Sequence, residues 1–323
     1  MPSPDSGAAQ QFRKFLLTWY DESQRRLPWR GETDPYRILV SEIMLQQTRV
    51  AVVQQRYLDF LSRFPTIDKL ARAREQSVLA AWSGLGYYRR ARALHAAAKQ
   101  ILQSGRFPRS AADLQELPGI GRYTASAVAS IAFGEPVAVV DGNVKRVLDR
   151  IYGDRHREED YWTKAGNLVD PHRPGDFNQA MMELGATICL PGGEPRCTEC
   201  PVAELCRSRG TRVERPNGSR RKAEISYLLT RRNGSVLLRQ RPHDFTLMPG
   251  MWELPECALR RSGGDPILRL RHSITVTDYT VLVFDGAAKR LQEGKWVSLN
   301  DVERLPLTGL TRKILRGIQK RTE

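Results

Sequence analysis

The chain has 323 residues, more than one helical core accommodates and enough for two domains. Lys and Arg number 51 against 36 Asp and Glu, and the net charge of +15 argues for a polyanionic partner, with nucleic acid ahead of an anionic membrane surface. No apolar run approaches the length of a bilayer span, and the opening MPSPDSGAAQ lacks the basic start and apolar stretch of a secretory signal, so a soluble, intracellular protein is expected. Four of the five cysteines crowd into residues 189–206, which in a reducing compartment reads as metal ligation.

Residues 1–10 read as a disordered tail. QQFRKFLLTWYDESQRR then carries the apolar spacing of an amphipathic helix, which RLPWR breaks. Asp34-Pro35 is a helix start, and DPYRILVSEIMLQQTRVAVVQQRYLDFLSRF predicts two helices or one bent helix. Glu42 lies in its most apolar section, flanked by Ile38, Leu39, Val40, Ile43, Met44 and Leu45. Such a glutamate either occupies a solvent face, where most helical glutamates belong, or is enclosed, and enclosure raises a carboxyl pKa toward the range of a general acid. Over 64–105 two further helical segments flank a turn opened by Gly84 and Gly86. There Tyr87 and Tyr88 meet Arg89, Arg90 and Arg92, either as a wedge for a base stack with arginines on phosphates or as a core aromatic pair beside a solvated basic face.

The stretch 117–150 is the most informative. Pro118 ends one helix, Gly119 and Gly121 relieve a tight turn, and the small residues Ala125, Ser126, Ala127, Ala129 and Ser130 let the next helix pack closely. This is a helix–hairpin–helix signal, with free N-terminal amides to face a phosphate, although the same letters also suit an ordinary helical turn. Asp141, in VDGNV, would be a good helix N-cap in its own right. Helix is expected again over 158–188, with Met181, Met182 and Leu184 directed to a core. Cys189, Cys197, Cys200 and Cys206 follow with the spacing C-x7-C-x2-C-x5-C, a soft ligand set for an iron–sulfur centre or a four-thiolate zinc site, though a zinc ribbon more usually shows two C-x2-C pairs. Residues 207–222 carry seven basic residues against one acidic and read as a linker. Beyond it ISYLLTRR, SVLLRQR, ITVTDYTVLVFD and KWVSL are strand-like and LTRKILRGIQK is helical, an α+β domain that includes the odd cysteine, Cys257.

The pieces RRLPWR, DPYRILVSEIMLQQTRV, GLGYYRRARALH, LPGIGRYTA, VDGNVKRVL, FNQAMMELGATIC and CTECPVAELC occur in family order over about residues 25–206 and resemble the MutY family of adenine DNA glycosylases, within the endonuclease III superfamily. The resemblance implies a mainly α glycosylase domain over 11–206, with a helix-hairpin-helix and a [4Fe–4S] cluster on Cys189, Cys197, Cys200 and Cys206. It further implies the basic linker 207–222 and an α+β, Nudix-like lesion-recognition domain over 223–323. The implied activity is monofunctional: adenine mispaired with 8-oxoguanine or guanine is flipped out of double-stranded DNA and its N-glycosidic bond is hydrolysed. A monomer working in the cytoplasm at a bacterial nucleoid is expected.

Residue by residue, Glu42 matches the acid that protonates the adenine ring and Asp141 the carboxylate that stabilises the sugar cation, with Tyr123 and Asn143 assisting. Arg25, Trp29, Arg30 and Glu183 match pocket positions, Gln47 and Tyr87 the residues inserted near the damaged guanine, and Gly119 and Gly121 the DNA-gripping hairpin. The chemistry asks for such a pair independently, because a proton on the leaving purine and an anion beside an oxocarbenium-like sugar need two carboxyl groups in different environments.

Departures from the family pattern bear on particular parts. The first cysteine gap is seven residues where the family usually shows six, and no G-x5-E-x7-R-E-x2-E-E box follows Glu256, which argues against magnesium-dependent diphosphate hydrolysis. The family's Phe-Ser-His lesion loop has Ile274-Thr275-Val276 as its counterpart, leaving Thr275 one hydroxyl for 8-oxoguanine and a weaker preference, unless His272 and Ser273 stand in. An endonuclease III-like lyase would carry Lys where this chain has Tyr123, which cannot form an imine. A guanine–thymine mismatch glycosylase can carry Tyr there but lacks the appended domain, and a non-catalytic redox-sensing protein would not need both Glu42 and Asp141. Lys145 is expected on a helix side facing phosphate.

Overall fold

The computed structural model describes residues 7–192, 194–211, 220–242, 244–245, 248–257, 265–274, 277–286 and 294–322. Its backbone divides into two units, Met1–Ala71 with Ala93–Pro216, and Arg72–Arg92 with Asn217–Glu323. The segment Arg72–Arg92 therefore goes with the C-terminal sheets, where a reading in chain order puts it in 11–206.

The first unit is helical. It contains α1 (Gly7–Ser23), α2 (Pro35–Leu45), α3 (Val50–Arg63) and α4 (Ile67–Ala71); α5 (Glu75–Ala81) belongs to the second unit and α6 (Arg89–Ser104) crosses the boundary. Then come α7 (Ala111–Gln115), α8 (Arg122–Phe133), α9 (Gly142–Tyr152), α10 (Glu158–Leu168) and α11 (Pro174–Thr187). The beginning of α1 at Gly7 corrects the expected tail, whose last four residues, 7–10, are helical.

Local chemistry explains the boundaries. Asp34 caps α2 by accepting from the Tyr36 amide at 2.8 Å, and Pro35 supplies a preset φ in the first turn. Residues 46–49 separate α2 from α3, so the two-helix alternative is the one observed. Tyr36 and Ile38–Met44 are all buried and only Arg37 is exposed, so α2 is a largely enclosed helix, and it packs on α3 and α8. Around α1, α9, α10 and α11 a second core forms from side chains such as Phe12, Leu16, Leu148, Phe177 and Met181. Each such side chain contributes about 1.5–3 kcal/mol by leaving water. Gly185 lets α11 approach α9 closely, since a Cβ there would lie 2.6 Å from the Asn143 Cβ.

The second unit is α+β. Its strands are β1 (Arg221–Leu229), β2 (Arg231–Arg232), β3 (Ser235–Gln240), β4 (Trp252–Glu253), β5 (Leu268–Ile274), β6 (Thr277–Asp285) and β7 (Lys295–Ser298), followed by α12 (Gly309–Thr322). One sheet has the order β1-β6-β5, with β1 parallel and β5 antiparallel to β6; the other has the order β2-β3-β4, with β7 antiparallel on β3. Tyr227, Val236, Leu238, Val281, Val283 and Ile314 fill the core between them. Asn233 and Gly234, both at positive φ, make the two-residue turn that joins β2 to β3. Arg221 and Lys222, within the stretch expected as linker, open β1. ITVTDYTVLVFD is not one strand: Ile274 closes β5, and Thr277 opens β6.

Candidate active site

Glu42 is 5% exposed, which decides between the two readings of its position in favour of enclosure. Burial pushes its carboxyl up to about 7; the hydrogen bond from Tyr123 and the charge of Arg30 pull it down, and the charge of Asp141 adds to the rise. The Tyr123 hydroxyl donates to Glu42 Oε2 at 2.9 Å and lies 3.2 Å from the Met182 sulfur. Burial, together with the charges of Glu42 and Asp141, drives the phenol far above its ordinary pKa, so it remains a donor. Gln46 fixes the end of α2 to α8 by donating to the Thr124 hydroxyl at 2.9 Å.

Asp141 is the N-cap of α9, as its sequence context suggests, and both its oxygens are engaged. Oδ1 accepts from the Val144 amide and Oδ2 from the Asn143 side-chain amide, each at 2.8 Å. The carboxylate thus sits at the positive end of the α9 dipole. Asn143 is held in turn by Arg146, whose Nη2 donates to Asn143 Oδ1 at 2.8 Å and to the Gly185 carbonyl at 2.7 Å. The strand of chain leading to Asp141 is pinned by buried Asn178, which accepts from the Val139 amide at 3.0 Å and donates to the Val137 carbonyl at 2.8 Å.

Three of the four predicted pocket residues, Arg25, Arg30 and Glu183, form one network. Glu183 is 1% exposed and receives Arg25 Nε at 2.5 Å, Arg25 Nη2 at 2.9 Å and Arg30 Nη2 at 2.8 Å. Burial alone would raise this carboxyl, but the hydrogen bond from Arg25 and the charges of Arg30 and Arg25 together hold it below its ordinary value. Arg30 also donates to Gln179 and lies over the Tyr20 ring. Trp29 is buried edge-on against Tyr57. Sequence reasoning missed Gln179, Asn178 and Arg146, and it assigned Met182 to the core; Met182 lies at the core margin with its sulfur against Tyr123. The only signal was a spacing of four residues between Gln179 and Glu183 and of three between Asn143 and Arg146 along their helices; Asn178 and Met182 carried none.

The hairpin is present. Gly119 has φ +72° and lies where a Cβ would overlap that of Ala93, while Gly121 caps α8 without any side-chain bond to its first amides. Gln47, just beyond α2, has φ +54°. Lys145 is paired with Glu158 at 2.5 Å, and Arg122 with Glu159 at 2.9 Å, so both basic side chains of this face have acidic neighbours on α10.

In the second unit, Tyr87 is 46% exposed and Tyr88 is buried, donating to the Leu307 carbonyl at 3.0 Å. Of the arginines that follow, Arg92 is bonded to Glu75 at 2.8 Å and to the Pro249 carbonyl at 2.7 Å, and Arg90 Nη2 turns back on the Leu85 carbonyl of its own loop. The Ser273 hydroxyl donates to Asp278 at 2.6 Å, and Thr275 lies outside the described residues.

Cys189, Cys197, Cys200 and Cys206 are all free and half-buried, and they line one cavity. Among the described residues no three of His, Cys, Asp or Glu are drawn together tightly enough to hold a single metal ion. Arg150 Nη1 donates to the Cys189 sulfur at 3.0 Å and the Gly210 amide to that of Cys197 at 3.4 Å. Burial pushes the Cys200 thiol up to about 11 and also raises Cys206, so thiolates there require a cationic partner.

A family profile described as HhH-GPD superfamily base excision DNA repair protein matches residues 40–169. The chain is 47% identical over 227 residues to the adenine DNA glycosylase of Homo sapiens, covering 65% of this chain and 41% of that protein. It is 44% identical over 271 residues to that of Mus musculus, covering 77% of this chain and 52% of that protein. It thus spans about half the length of these curated relatives. Among solved structures, a thermostable thymine-DNA glycosylase superposes with a TM-score of 0.58 at 30% identity, covering 62% of this chain and 96% of the other. A trapped covalent intermediate of endonuclease III with DNA superposes with a TM-score of 0.53 at 24% identity over 62% of this chain and 96% of the other, a likeness of fold.

Proposed function

We infer that this chain, which belongs to the MutY family of adenine DNA glycosylases within the HhH-GPD superfamily, hydrolyses the N-glycosidic bond of adenine mispaired with 8-oxoguanine or guanine in double-stranded DNA. The observation that carries this reading is Glu42, a buried carboxyl with a pKa near 7, bridged to Tyr123 and within the field of Asp141. Protonated Glu42 donates to the ring of a flipped adenine, the bonding pair leaves with the base, and the sugar carries the positive charge. Asp141 stabilises that charge, and water adds to the sugar carbon and loses its proton, leaving an abasic site. Tyr123 orients Glu42 and offers no amine for an imine, so the strand is not cut by this route. Arg25, Trp29, Arg30 and Glu183 shape the base pocket, Gln47 and Tyr87 insert beside the orphaned guanine, and Gly119 and Gly121 grip phosphate.

The four cysteines fit a [4Fe–4S] cluster, since four soft ligands share one cavity and have Arg150 and a backbone amide directed at sulfur. When bound, the cluster would brace the loop and neutralise buried thiolates, while taking no part in bond cleavage. The α+β domain, taken as 223–323 beyond the linker 207–222, would read the lesion in a Nudix-like manner, with the helical domain as 11–206. The enzyme would act as a monomer wherever its DNA resides; no helix among the described residues is long and apolar enough to cross a membrane.

A panel of duplexes under single turnover tests this. Adenine opposite 8-oxoguanine should be released fastest, adenine opposite guanine more slowly, and thymine opposite guanine or oxidised pyrimidines not at all. Thymine release, or a product strand trapped covalently by borohydride, would contradict the assignment.

A further inference from the structure

The backbone at Tyr87 calls for an explanation. Its φ of +47° lies in the left-handed region that bulky residues seldom enter, and its ring is exposed. Strain of this kind persists only where the surroundings over-determine it. One side chain, Arg90, touches both the Tyr87 ring and the turn that carries it. The Arg90 guanidinium lies 5.3 Å from the Tyr87 ring centroid and 5.7 Å from that of buried Trp82. Its Nη2 donates to the Leu85 carbonyl at 3.0 Å and to the Gly86 carbonyl at 3.3 Å. The Trp82 indole N–H donates to the same Gly86 carbonyl at 3.1 Å, and the Arg90 amide to the Tyr87 carbonyl at 2.9 Å. Trp82 and the carbonyls of Leu85 and Gly86 therefore hold the Arg90 guanidinium in place as a seat against the Tyr87 ring.

We propose that Arg90 is a positioning residue: lying against the Trp82 and Tyr87 rings and bonded to the carbonyls before Tyr87, it holds Tyr87 in its strained, outward pose and so sets how efficiently that ring enters the base stack. The inference rests on the reading of Tyr87 as the wedge. It gives Arg90 a task different from phosphate binding, because its Nη2 is directed at its own turn. A guanidinium suits this task because its plane stacks on an aromatic face while its fork bonds carbonyls; an ammonium can do only part of this.

The test uses the full-length protein and a duplex with 2-aminopurine next to the adenine mispair, whose fluorescence rises when the neighbouring stack opens. Wild type, Tyr87→Ala, Arg90→Met, Arg90→Lys and the Tyr87→Ala/Arg90→Met double variant are compared, each checked for an unchanged circular dichroism spectrum. Arg90→Met should lose most of the fluorescence rise, Arg90→Lys part of it, and Arg90→Met should add no further loss once Tyr87 is already Ala. The slope of binding affinity against salt should match wild type, whereas removal of a phosphate contact would lower it by about one counterion. A full fluorescence rise in Arg90→Met, an equal loss with and without Tyr87, or a reduced salt slope would overturn the proposal. Should Arg90→Met fail to fold, Arg90→Lys decides it, a wild-type rise in that variant counting against. A wild-type rise in Tyr87→Ala would overturn both wedge and seat. Adenine release from the same duplex is scored separately, so an inactive but stack-opening protein would refute the catalytic reading alone.

Discussion

At Glu42 function and stability pull in opposite directions. Its folded pKa, about 7, lies above the ordinary 4.5, so folding takes up a proton between those values. Stability linked to it is fully present below the lower value and is lost as pH rises through the higher one. Glu42→Gln should therefore raise the thermal midpoint relative to wild type more at about pH 8 than at about pH 5. A pH-independent difference would show that the carboxyl is not desolvated. The same variant should abolish excision while keeping mispair affinity within about tenfold, because it retains shape and loses the proton. In wild type, the single-turnover rate should fall as pH rises above about 7, approaching tenfold per unit, as Glu42 ionises. Asp141→Asn should lose most of the rate and cost about 1–3 kcal/mol, since Asn can still cap the Val144 amide but sets its own NH2 against that of Asn143. The fate of Glu42 was not legible in the sequence, because a helix apolar on every side offers no pattern by which to tell an enclosed glutamate from an exposed one.

At the level of elements, the caps were legible and the contacts were not. Asp34-Pro35, the hairpin glycines and Asp141 announce themselves because side chain and backbone are neighbours in sequence. Arg146 on the Gly185 carbonyl and Arg90 on Trp82 join groups whose meeting depends on helix packing or on a folded turn. The division between β5 and β6 was missed because the sequence around Ile274 and Thr277 carries no Gly or Pro to interrupt a strand-like run. The close passage of α11 over α9 makes a paired prediction. Gly185→Ala places a Cβ 2.6 Å from Asn143 and should cost about 1–3 kcal/mol, with excision falling as Asn143 is displaced. Gly166→Ala, with nothing within 4 Å, should stabilise α10 by about 0.5–1 kcal/mol and leave excision unchanged. Chemical denaturation and single-turnover rates check both. Replacing Cys200 by Ser should remove iron and the broad absorbance at about 400 nm and weaken DNA binding. A colourless wild-type protein with one zinc per chain would contradict the cluster.

The whole molecule carries the net charge of +15, so its affinity for any duplex should fall steeply with salt. Specificity for the partner base is a separate matter, and it resides at both units or at one. If the chain beyond Arg215 reads the lesion, Thr275→Ala or removal of that chain should shrink the preference for adenine opposite 8-oxoguanine over adenine opposite guanine, by about tenfold for a contact of 1–2 kcal/mol. Equal discrimination by all three proteins would assign recognition to Gln47, Tyr87 and the hairpin. The most direct test of the central claim is mass-spectrometric detection of free base after one turnover on an adenine·8-oxoguanine duplex, with the strand analysed before and after alkali. Wild type should release adenine stoichiometrically and leave a strand that breaks only after alkali, and Glu42→Gln should release none; absence of adenine with wild type, or its undiminished release by Glu42→Gln, would contradict the claim.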